Sequence, residues 1–151
     1  MTLLKFAGRM LIAAIFLFSS YQKLSAPLEN FEEILRTYAV FPEDWIISLS
    51  RFVPYAELVL GIFVLLGFFT RISLFAAAAL FGGFVYVTGR AAWLKLPIAD
   101  CGCFGGAIHI PPHLMVWFDA GILVLALFLI FSKPTPFRLD SLIFERPSEG
   151  A

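Results

Sequence analysis

The sequence predicts an all-α integral membrane protein: a four-helix transmembrane bundle with an interfacial amphipathic helix between the first and second spans. Three observations predict it. Hydrophobic residues make up 60% of the 151 positions and charged ones 15%, against roughly half and about a quarter in a soluble domain. The apolar residues gather into four stretches, each close to the length that ~30 Å of hydrocarbon asks of a helix. With 18 Phe and so few charges, the rest of the chain cannot supply a polar shell around four helices that are apolar nearly all round. The 11 Lys+Arg are offset by 11 Asp+Glu. No clustered cations are left over to neutralise a polyanion, so nucleic acid is not an expected partner; membrane lipid is.

The first span, 3–21, has Lys5 and Arg9 ahead of an apolar run, the look of a signal peptide. The run gives way, however, to Ser19-Ser20-Tyr21-Gln22-Lys23 and not to a small-x-small cleavage site, so the segment is expected to stay as an anchor, with Arg9 snorkelling to the headgroups. Next, Leu28, Phe31, Ile34, Leu35 and Tyr38 recur at helical spacing against Glu29, Glu32, Glu33 and Arg36. Bracketed by Pro27 and Pro42, they predict a helix over about 28–39 that lies in the interface or caps the bundle. The second and third spans, 52–69 and 72–87, are parted only by a tight turn at Thr70-Arg71 and form an antiparallel hairpin. The connection 88–113 is rich in Gly and Pro and reads as an irregular surface loop. A fourth span, 114–131, and a tail, 132–151, complete the chain.

With four spans, both longer connections fall on one side. Lys5, Arg9, Arg71, Lys133, Arg138 and Arg146 lie on the side of the termini, and Lys23, Arg36, Arg51, Arg90 and Lys95 on the other, a small bias toward cytoplasmic termini. Trp45, Trp93 and Trp117, with Tyr21, Tyr38, Tyr55 and Tyr86, fall at or near the two-loop side, as an interfacial belt would.

Both cysteines sit in the second connection, within Asp100-Cys101-Gly102-Cys103-Phe104-Gly105. Two cysteines separated by one glycine can close on each other only across a sharp turn, which glycine permits. So small a ring stabilises little by chain entropy and favours an exchangeable bond over a structural staple. His109 and His113 come after them, giving a Cys-x-Cys-x5-His-x3-His order that a soft metal such as Cu(I) or Zn(II) could use through Cys101, Cys103, His109 and His113, although Pro111-Pro112 keeps the two histidines off one helix face.

Two carboxylates interrupt the spans, Glu57 and Asp119. Each is about five residues, or ~8 Å at the helical rise, from the two-loop surface. Ionisable residues at such depth are costly and by default functional. Lys23, at the far end of span one, is the expected charge partner, with Arg51 or Arg90 as substitutes. Two roles stand open for Lys23, Glu57 and Asp119: a structural ion pair that clamps the bundle, or proton transfer to and from the thiols.

Taken together, these residues resemble a known family. Arg9 through Phe16, Ser19 and Gln22-Lys23-Leu24, then Pro54-x-x-Glu57-Leu58-x-x-Gly61, Gly67-x-x-x-Arg71 and above all the Cys-Gly-Cys-Phe-Gly run look like the MauE/DoxX family of redox-associated membrane proteins, over about residues 3–131. The resemblance implies a four-helix membrane bundle that forms or maintains disulfides in exported partners, often beside a thioredoxin-like protein, with Cys101 and Cys103 in the redox role. Lys23 and Glu57 match recurrent polar positions of the family.

The expected function is thiol–disulfide exchange in a bacterial cytoplasmic membrane, with the cysteine loop facing the periplasm or exterior, where disulfides persist. One dithiol holds two electrons and the chain has no second pair, so either a quinone or another protein completes the circuit. Two alternatives belong to other classes: a non-enzymatic membrane subunit or assembly factor, and a metal-handling protein using Cys101, Cys103 and His109.

Overall fold

The computed structural model describes residues 2–96 and 111–132. Five helices succeed one another: α1 (Thr2–Ser25), α2 (Leu28–Tyr38), α3 (Glu43–Leu66), α4 (Thr70–Trp93) and α5 (Pro112–Phe131). All but α2 are long and apolar enough to cross a membrane, so the fold is a four-helix transmembrane bundle with one short extra helix. α1 packs along α3 and α4 along α5, while α2 lies against α3.

Local chemistry sets the helix ends. Pro27, Pro42 and Pro111 stand immediately before α2, α3 and α5 in extended conformations, where a fixed φ costs nothing and directs the chain into a new helix. α3 closes on Gly67 at φ 68°. The Gly67 N–H donates to Val64 O and the Phe68 N–H to Phe63 O, the paired bonds of a Schellman end that glycine makes cheap. α2 ends on Ala39 at φ 50°, and the carbonyls of Tyr38 and Ala39 accept from Arg90 Nη1 at 3.2 and 3.3 Å. One guanidinium of α4 thus caps the end of α2.

Two spans extend well beyond their apolar runs. α3 begins at Glu43, not near 52, because Arg51 ends an apolar run without ending a helix, and Glu43 and Asp44 suit the positive end of the helix dipole. α4 continues to Trp93, so 88–93 are helical and not loop. The turn between α3 and α4 falls at 67–69 and not at Thr70-Arg71, since Gly67 ends one helix and Thr70 already begins the next. Gly89 lies within α4 opposite α5, where a Cβ would meet Val116 Cγ2 at 3.4 Å, an ordinary contact; the cost of about 1 kcal/mol for one helical glycine is outweighed by the rest of the helix.

One stripe of α1 faces the bundle: Arg9, Ile12, Ala13, Phe16, Ser19, Ser20 and Lys23 are all buried, at the three- and four-residue steps of a helix face. Its apolar centre joins Val64, Leu74, Ala77, Phe81, Ile122 and Ala126 in the main core, with Phe16 and Phe81 rings 4.8 Å apart. A second cluster, Phe31, Leu35, Ile46 and Val53, fastens α2 to α3. Lipid is as apolar as these side chains, so close packing holds the helices together and not transfer out of water.

Two expectations about polar and aromatic residues fail. Arg9 is 4% exposed and its guanidinium carbon lies 5.4 Å from the Phe6 ring; it shares a face with Ile12 and Ala13, so it points into the bundle and does not snorkel. Tyr38 is 3% exposed, whereas Trp45, Trp93, Trp117, Tyr21, Tyr55 and Tyr86 are exposed, because Tyr38 lies on the apolar stripe by which α2 packs.

Gly61 sets the spacing of α1 and α3. A Cβ there would come within 3.0 Å of Leu17 and 3.2 Å of Phe16 Cβ, whereas one on Gly82 would meet nothing within 4 Å. Gly61→Val is therefore expected to cost about 1–3 kcal/mol by overpacking and Gly82→Val far less, as read by thermal unfolding in detergent. Equal melting temperatures would show that α1 and α3 do not rely on this contact.

Candidate functional site

Ser19 and Lys23 of α1 and Glu57 of α3, all buried, form one closed cluster. Lys23 Nζ lies 2.6 Å from Glu57 Oε1 and donates to Ser19 Oγ at 2.9 Å; Ser19 Oγ in turn donates to Glu57 Oε2 at 3.1 Å. Ser19 and Lys23 are one helical turn apart, which brings both side chains to Glu57 on the facing helix. Lys23 is 3% exposed and Glu57 0%, and the ammonium also faces the rings of Phe31 and Phe84 at 5.2 and 5.1 Å. Ion pair, hydrogen bonds and rings together offset the desolvation of the two charges.

Asp119 of α5 reaches the same region. It is 1% exposed, and its Oδ2 has no hydrogen-bond partner among the described residues. A small void of about 10 Å³ is lined by Ser19, Glu57 and Asp119 together with Phe16, Phe81 and Met115, close to the least volume that takes one water. Among the described residues the cation at this cluster, Lys23, is paired with Glu57 and not with Asp119. With Glu57 already engaged by Lys23, Asp119 is the carboxylate open to a water or a proton.

The substitutes for Lys23 are committed elsewhere: Arg51 is exposed, and Arg90 caps α2. Glu57 lies fourteen residues along α3 from its first residue, Glu43, about 21 Å at the helical rise, so the early start of α3 carries that helix well past the level of the Lys23–Glu57 pair. Cys101, Cys103 and His109 lie outside the described residues. His113 is exposed in the first turn of α5. No group of three or more His, Cys, Asp or Glu able to hold a metal occurs among the described residues. Two features escape a reading of the sequence: the bridging role of Ser19, whose four-residue spacing from Lys23 is the available signal, and the apolar cavity on the outer side of Lys23, which no local pattern announces.

A buried Ser–Lys–Glu cluster thus joins the first and second spans of a four-span bundle. The model of the family described as methylamine utilisation protein MauE matches residues 1–132. The chain belongs to the MauE family. No curated protein and no solved structure matches it. The MauE match takes in all five helices and the connection that carries the cysteines, and stops where α5 ends.

Proposed function

We propose that this MauE-family membrane protein is a thiol–disulfide exchange protein, with Cys101 and Cys103 as the reacting pair and an exported or thioredoxin-like thiol protein as its partner. The observation that carries the reading is the coincidence of two features at one end of the bundle. The only two cysteines of the chain lie in the connection between α4 and α5, and the buried Lys23–Glu57–Asp119 cluster lies along the halves of α1 and α5 nearest that connection. In the cycle, a partner thiolate attacks one sulfur of the Cys101–Cys103 disulfide, forming a mixed disulfide while the other cysteine leaves as thiolate; a second thiolate of the partner then attacks its own sulfur in the mixed disulfide, releasing the first cysteine as thiolate and leaving the partner oxidised and the Cys101/Cys103 pair reduced. Each thiolate produced must take up a proton, and each thiol oxidised must release one. Asp119, with Glu57 and Lys23 beside it, serves as the acid/base store for those protons.

Oxidised cysteines persist outside the cytoplasm, so the reactive connection faces outward from a bacterial inner membrane and the termini lie in the cytoplasm. Redox-state trapping tests the reading. Intact cells are alkylated with a bulky maleimide before and after a pulse of reductant, and again with Cys101→Ser and Cys103→Ser. The pair is expected to cycle between protected and alkylated forms, and one of the two variants to accumulate as a mixed disulfide with another protein. A pair permanently oxidised would point to a structural subunit, protection only when copper or zinc is supplied would point to metal handling, and either result overturns the proposal.

A further inference from the structure

Lys23 stands between two spaces. On one side is the void it approaches through Glu57; on the other is a cavity of about 270 Å³ walled by α2, α3 and α4. Phe31 and Leu35 of α2, Val53 of α3, and Gly83 and Phe84 of α4 line it, and among the described residues Lys23 is the one charged group on its wall. Along α4 the lining runs from Ala79 to Thr88, about 14 Å at the helical rise, or roughly half the hydrocarbon thickness. Ala79, Gly83 and Tyr86 are exposed on that wall, so the cavity opens sideways, toward lipid.

We infer that this cavity is the headgroup site of a membrane-soluble quinone, seated against the Phe31 and Phe84 rings with one carbonyl oxygen accepting from Lys23 Nζ. Three features select this occupant. The walls are apolar and open to the bilayer, so the ligand arrives from lipid. Lys23 has three N–H donors, and Ser19 and Glu57 take two; the third suits an acceptor in the cavity. The charge of Lys23 is already met by Glu57 at 2.6 Å, so the cavity offers a hydrogen bond without net positive charge, and a phosphate would bring an uncompensated charge against apolar walls. A neutral carbonyl on a flat ring satisfies all three; a bare acyl chain would leave the donor unused.

Only the source of electrons rests on the thiol–disulfide reading. Two thiols lose their protons and one electron each as an S–S bond forms; the quinone gains those two electrons and two protons, forming two O–H bonds of the quinol. Binding itself needs no cysteine, which allows the two ideas to fail separately.

Gly83 provides the test. A Cβ at Gly83 or at its neighbour Gly82 would meet nothing within 4 Å, yet of the two only Gly83 lines the cavity, so Gly83→Phe is expected to fill the site and Gly82→Phe to leave it open, with equal thermal unfolding in detergent as the check that both variants fold. The full chain carrying Cys101→Ser and Cys103→Ser is placed in phospholipid nanodiscs and titrated with decylubiquinone, and bound quinone is measured after rapid separation. Saturation near one quinone per chain is expected, unchanged with Gly82→Phe and weakened at least ~10-fold with Gly83→Phe, about 1.4 kcal/mol. Equal retention by both variants, or a quinone content no higher than that of empty nanodiscs because phospholipid fills the cavity, would overturn the inference. Loss of redox cycling with quinone binding intact would instead count against the exchange reading.

Discussion

Lys23→Met is expected to destabilise the bundle by about 3–5 kcal/mol, because it leaves the Glu57 carboxylate in a dry interior with only the Ser19 hydroxyl for company. Glu57→Leu is expected to do comparable harm from the other side, stranding an ammonium between two phenyl rings. The double variant Lys23→Met/Glu57→Leu removes both charges and keeps apolar volume, so most of the loss should return, and chemical unfolding in detergent across the four proteins gives the coupling directly. Two single variants each within ~0.5 kcal/mol of the parent, the range of an ordinary surface substitution, would show that water or lipid headgroups reach this pair and that it is not the clamp between α1 and α3.

Asp119→Asn should behave in the opposite manner. The substitution preserves shape and removes a buried carboxylate whose Oδ2 lacks a partner among the described residues, so the melting temperature is expected to hold or rise. The rate of thiol–disulfide exchange is expected to fall by about 10²-fold, the lower end of what a positioned acid or base contributes, since an amide can neither take up nor release the proton. Stopped alkylation of Cys101 and Cys103 during exchange with a small dithiol reads the rate. An unchanged rate would remove Asp119 from the proton path and leave it a packing residue.

Much of the architecture is legible in the sequence because lipid imposes a simple requirement: four apolar runs of near-spanning length have few other solutions. The amphipathic stripe of α2 is equally plain, since Phe31, Leu35 and Tyr38 recur at helical steps and all three are buried. Boundaries are less so. Arg51 and Gly89 look like ends in a hydropathy reading, yet a helix continues through an exposed arginine at no cost and through a single glycine at a cost of about 1 kcal/mol that its other residues outweigh. Arg9 misleads for a related reason: its length permits snorkelling, but the face it occupies is set by Ile12 and Phe16. Lys23 and Glu57 can be placed at one end of the bundle by counting residues, and they meet. The bridging of Ser19 and the cavity beyond Lys23 depend on how α1, α2, α3 and α4 assemble, and distances between helices are not written in any one of them.

The stripe of α1 also bears on how the protein is made. Arg9 and Lys23 place two cations on one span, each disfavouring partition into lipid, and the carboxylate that answers Lys23 is synthesised 34 residues later. The nascent first helix therefore enters the bilayer with an unmet charge and acquires its counter-ion only once the segment carrying Glu57 has emerged. The Lys23–Glu57 pair can therefore form only after the second span is made, which ties the settled position of the first helix to the arrival of the next.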